Sequence, residues 1–175
     1  MTIESIFESV RTLESKNIYE LYEIFGIEIY YTPLLITHDR DSMIICDGTH
    51  KGVFIRPNPD PKYIQFLLWH EFGHYILHWK PNMRMNYYLS TRWRETEQQA
   101  NIFAVINILQ YADSRSADPV RIAISNGVPY QIAIDSVNRI RYYLDSLDSK
   151  GNKNGAVKPP LDPDWTPVPN HNEVE

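Results

Sequence analysis

The chain has 175 residues, 43% of them hydrophobic and 22% charged, which suits one compact domain with a proper core and excludes disorder over most of its length. A mild net charge of −5 and the lack of any Lys/Arg-rich stripe exclude duplex nucleic acid as an obvious direct ligand. No window is apolar enough to span a bilayer and the one cysteine cannot make an internal disulfide, so the sequence predicts a cytoplasmic protein with no membrane partner.

The first residues, Met1-Thr2-Ile3-Glu4-Ser5, lack a basic stretch followed by an apolar one, so no signal peptide is expected. Residues 2–25 carry an amphipathic pattern for one helix or two short ones, with Gly26 placed to stop it. Ile27-Glu28-Ile29-Tyr30-Tyr31 alternates as a strand does and ends at Pro33. Asp41 to Cys46 is a second strand, with Cys46 a small core residue in an apolar run. A turn over Asp47-Gly48-Thr49-His50-Lys51-Gly52 leads to a third strand, Val53 to Arg56, closed by Pro57. These strands predict a small, largely antiparallel sheet.

Asn58-Pro59-Asp60-Pro61 announces a helix, with Asp60 as cap and Pro61 at the first position, where its missing N–H costs nothing. That helix should run from about 61 to 79, where Pro81 stops it, and apolar residues cover most of its circumference. Further helices are expected near 94–110, from Asp118-Pro119, and near 130–147. The expected class is α+β, with the sheet packed on a helical core. A domain over 1–147 would be followed by a Pro/Asn-rich, disordered tail over 148–175, whose one anchor-like residue is Trp165.

The motif that carries chemistry lies inside the 61–79 helix: His70-Glu71-Phe72-Gly73-His74. Four residues turn a helix by about 400° and rise about 6 Å, so both imidazoles leave one face and can converge on one ion. Glu71 is offset from that face and can reach a water instead, giving two zinc ligands and one general base. Zinc lowers the pKa of bound water towards ~7, within reach of a carboxylate. A chance match is the competing explanation, but two histidines and a glutamate on a buried helix are costly with no ligand to satisfy them.

His78 continues the spacing, yet His70 and His78 are about 12 Å apart along a straight helix. One zinc with bonds near ~2.1 Å cannot take both together with His74. His78 is therefore assigned a supporting or structural place. The better third ligand is on the next helix, where Glu97, Ala100, Asn101 and Ala104 share one face; the two alanines would let that helix approach closely and carry Glu97 to the metal. Asn101 would then stand behind the ligands or serve the packing. An exposed surface acid is the alternative for Glu97. An open fourth position suits a catalytic zinc.

The run Phe66-Leu67-Leu68-Trp69-His70-Glu71-Phe72-Gly73-His74-Tyr75-Ile76-Leu77-His78, followed by Glu97-Gln-Gln-Ala100-Asn101-Ile-Phe103-Ala104, resembles the ImmA/IrrE family of metallopeptidases over roughly residues 15–110. The resemblance implies a zincin-like fold, a gluzincin-like site with Glu97 as acidic ligand, and one zinc ion. It also implies site-specific cleavage of a helix-turn-helix repressor, or of an antitoxin, from a phage, mobile element or stress response. The helix after Ala104 lacks the proline common in that family, and no N-terminal DNA-binding module is evident.

Gluzincin-like sites can take an extended peptide along an edge strand. Val53 to Arg56 is the nearest candidate in sequence, with Arg56 available to an acidic substrate residue. Tyr75, Tyr87, Tyr88, Arg92 and Tyr111 are all available for the oxyanion, and Tyr75 is also a substrate-contact candidate. Two rival functions remain: a binding or anti-repressor protein that keeps the fold without cutting, which has no need of Glu71, and a structural zinc domain, which needs a fourth protein ligand.

Overall fold

The computed structural model describes residues 1–13, 16–33, 35, 40–47, 50–58, 60–80, 93–110 and 118–149. Tyr87, Tyr88, Arg92, Tyr111, Trp165 and the expected tail from residue 150 onward lie outside the described residues. Among the described residues the chain is α+β. Its order is α1 (Ile3–Arg11), α2 (Ile18–Ile24), β1 (Glu28–Tyr31), β2 (Ser42–Cys46), β3 (Lys51–Ile55), α3 (Pro61–His78), α4 (Trp93–Gln110), α5 (Pro119–Ser125) and α6 (Tyr130–Ser149).

Helix ends follow local chemistry. The side chains of Thr2, Asn17, Asp60 and Asp118 each accept a hydrogen bond from a backbone N–H of the first turn, and Pro61 and Pro119 fill the positions after the last two. α2 and α5 close in the same way. Gly26 (φ 61°) and Gly127 (φ 86°) adopt the left-handed conformation, and the next residue donates back across the turn, Ile27 to Tyr22 and Val128 to Ala123. Gly127 is also pinned from outside, because a Cβ there would sit 2.4 Å from the Lys62 carbonyl carbon. The α5–α6 turn thus rests on the start of α3, where Lys62 Nζ donates to the Ser125 carbonyl at 2.6 Å.

The sheet order is β1-β3-β2, with β1 parallel and β2 antiparallel to β3. The sheet is therefore mixed: β2 and β3 follow one another in the chain and pair antiparallel, whereas β1 runs in the same direction as β3. Val53–Ile55 thus lies in the central strand, flanked on both sides, and has no free edge for a peptide. The edge strands are β1 and β2.

α3 is buried without interruption from Phe66 to Tyr75, as expected of a helix apolar on nearly every side. It packs chiefly on α4, and also touches the sheet and α1 and α2. The α3–α4 crossing is tight at one point: a Cβ on Gly73 would lie 3.2 Å from the Ala100 Cα and 3.0 Å from Phe103 Cδ1. Gly73 therefore makes room for a neighbouring backbone.

Candidate metal centre

This close crossing sets α4 one turn ahead of Ala100 opposite the motif helix, which brings Glu97 to His70 and His74. The three residues offer ligand atoms that all lie within 4.8 Å of one another. His70 Nε2 and His74 Nε2 are 3.1 Å apart, and the Glu97 carboxylate lies 3.2 Å from the first and 3.3 Å from the second. Zinc bonds of about 2.0–2.1 Å at tetrahedral angles would put neighbouring ligand atoms roughly 3.3–3.4 Å apart. The cluster has the dimensions of one face of such a tetrahedron, and its two nitrogens and one oxygen form a suitable donor set.

The polarity also fits a cation. His70 Nδ1 donates to Asn101 Oδ1 at 2.8 Å, so in the neutral ring it is Nε2 that turns a lone pair toward the cluster. Burial alone would lower the His70 pKa, but the hydrogen bond that the protonated ring donates to the Glu97 carboxylate and the charges of Glu71 and Glu97 outweigh it and raise the value. Burial alone would likewise raise the Glu97 carboxyl, yet hydrogen bonds and positive charge from His70 and His74 hold it well below the usual carboxylate range. The pocket between these groups favours positive charge.

Glu71 is buried, stands outside the three-residue cluster, and accepts a hydrogen bond from the Ser42 hydroxyl at 2.6 Å. Both line a cleft of about 240 Å³ that also contains His70, His74, Glu97 and Asn101. Four consecutive residues of β2, Ser42 to Ile45, line the same cleft. Side chains of a strand alternate between faces, so a consecutive run means that the strand presents its backbone edge. Among the described residues no strand pairs with that edge. Phe66, Leu67, Pro129 and Ile132 add apolar side chains to the lining of the cleft.

Other candidates lie elsewhere. His78 is outside the cluster; its Nδ1 is 3.4 Å from His74 Nδ1 and its Nε2 is 2.8 Å from Gln99 Oε1. Its pKa is lowered, chiefly by burial, which favours the neutral ring. Arg56 does not line the cleft but is ion-paired with Asp41, whose other carboxylate oxygen accepts from the Tyr63 hydroxyl at 2.5 Å. Tyr75 is also absent from the cleft, because it faces Phe25 and Phe72 and stacks on Trp79 at 5.1 Å. Cys46 is buried, and burial pushes its thiol up to about 11.

Sequence reasoning missed Ser42 and Gln99. Ser42 was legible as part of the strand from Asp41 to Cys46, but nothing local links that strand to α3; Gln99 was visible only as a polar residue two positions after Glu97.

A family model described as Peptidase_M78, IrrE N-terminal-like domain, matches residues 22–146. That span holds the whole cluster, Ser42 and Gln99. No curated protein and no solved structure matches the chain. No helix among the described residues is long and apolar enough to cross a membrane.

Proposed function

The chain belongs to the ImmA/IrrE family of metallopeptidases, and we propose that it is a zinc endopeptidase that cuts a helix-turn-helix transcriptional repressor in the cytoplasm. The observation that carries the zinc assignment is the trio His70, His74 and Glu97, with separations of 3.1–3.3 Å and an acid that is not a ligand beside it. Zinc bound there supplies a Lewis acid that acidifies water towards pKa ~7 and polarises the scissile carbonyl.

This chain's own residues do the rest. Glu71 takes a proton as a water oxygen bonds to the peptide carbonyl carbon, then passes it to the departing amine as the C–N bond breaks. Ser42, by donating to one carboxylate oxygen, leaves the other free for that proton. The open edge of β2 offers backbone N–H and C=O groups to an extended substrate, and so takes the part that Val53 to Arg56 cannot. The cleft has room for little more than a side chain or two, so most of the substrate lies along this edge and outside it. Phe66 and Ile132 give the cleft an apolar side for a substrate side chain.

The repressor assignment rests on family membership. Its test is coexpression with any helix-turn-helix protein found encoded next to it, followed by mass mapping of the fragments. Glu71→Gln should retain zinc and lose cleavage by a factor of about 10³ or more, since it removes the base but no ligand. Full cleavage by Glu71→Gln would sink the peptidase mechanism. Binding and derepression without any cut would favour the anti-repressor function instead.

A further inference from the structure

We propose that Gln99, acting through His78, positions His74 for the metal by fixing which imidazole nitrogen carries its proton. The inference rests on the assignment of His74 as a ligand. For His74 Nε2 to offer a lone pair to the cluster, its proton must sit on Nδ1. That nitrogen faces His78 Nδ1 at 3.4 Å, so His78 Nδ1 must be bare and the His78 proton must sit on Nε2. His78 Nε2 in turn needs an acceptor, and Gln99 Oε1 stands 2.8 Å away.

The last link determines the direction of the whole chain. An amide can present either its oxygen or its nitrogen, and what lies behind it decides which. Gln99 Nε2 donates to the Met1 carbonyl at 3.0 Å and to Glu95 Oε1 at 3.2 Å, both pure acceptors. A flipped amide would set its oxygen against those two oxygens and its N–H against the His78 N–H. Gln99 is buried at 8% exposure, so water cannot readily take over either role. Gln99 is thus a positioning residue on α4, the helix that also supplies Glu97, and it does for His74 what Asn101 does for His70.

The test compares wild type with Gln99→Met, which keeps the volume but weakens the acceptor, and Gln99→Glu, which keeps the acceptor while half-exposed Glu95 swings to solvent. Zinc affinity is measured by competition with a chromophoric chelator, the apo melting temperature is recorded alongside, and long-range ¹H–¹⁵N spectra of the zinc-loaded protein read the histidine tautomers. The expected result is a Kd weakened about tenfold or more in Gln99→Met, near-wild-type affinity in Gln99→Glu, and His78 protonated at Nε2. Wild-type affinity in Gln99→Met, or a His78 proton at Nδ1, would overturn the proposal. The wild-type tautomer decides the matter even if Gln99→Met does not fold. A wild type that binds no zinc removes the metal assignment itself, and this inference with it.

Discussion

Two carboxylates border the centre, and their neighbours separate their roles. Glu97 faces two imidazoles that hold it as an anion, which is what a ligand needs, whereas Glu71 faces the hydroxyl of Ser42. Ser42→Ala removes one hydrogen bond to a charged group, worth about 1.5–3 kcal/mol. We expect kcat to fall about tenfold with KM and zinc content unchanged; an equal loss of zinc would mean that Ser42 serves the fold instead. Cys46 makes a separate prediction. Its thiol is raised from 9.0 to about 11, so the folded state disfavours the thiolate. The contribution to stability is intact below the unfolded thiol pKa and is lost as pH climbs through the folded value. Denaturation midpoints should therefore fall between about pH 9 and 11, and Cys46→Ser should flatten that fall. His70, Glu71 and His74 were legible because helical spacing alone puts them together. Ser42 was not, because its contact depends on how a strand some thirty residues earlier docks on the helix.

At the level of elements, the site depends on the α3–α4 crossing. Gly73→Ala would force a methyl to 3.2 Å from the Ala100 Cα, where neither backbone can yield without shifting. We expect a loss of about 1–3 kcal/mol by chemical denaturation, together with weaker zinc binding, since the shift moves Glu97 away from its partners. Unchanged affinity would show that Glu97 follows the displacement. Alanines spaced along one face of α4 made this helix pair readable from the sequence. The strands were individually readable too, but their partners were not. A period of two says that Val53 to Ile55 is extended; only long-range pairing makes it the middle strand and leaves β2 at the edge.

For the molecule as a whole, the metal helix runs through the core that the other elements build, so the site and the fold share one set of contacts. Zinc held a thousandfold above its Kd would add about 4 kcal/mol to stability. For a chain of this size that is a shift of roughly 10 °C. Chelator should therefore lower the wild-type melting temperature by about that amount and leave His74→Ala unmoved. A wild type indifferent to chelator would show that no ion is held there.

The open edge of β2 has a consequence for the protein at rest. An edge strand proposed to take a substrate backbone is equally available to the same strand of another copy, and half-exposed Ile45 makes such a pairing stickier. The beginning of the strand counters this with charge: Asp41 and Arg56 are joined as an ion pair, and Arg40 lies beside them at the cleft. Charged side chains at the end of an edge strand disfavour pairing with a second copy. The edge proposed for the substrate is thereby also the place where a second copy would pair.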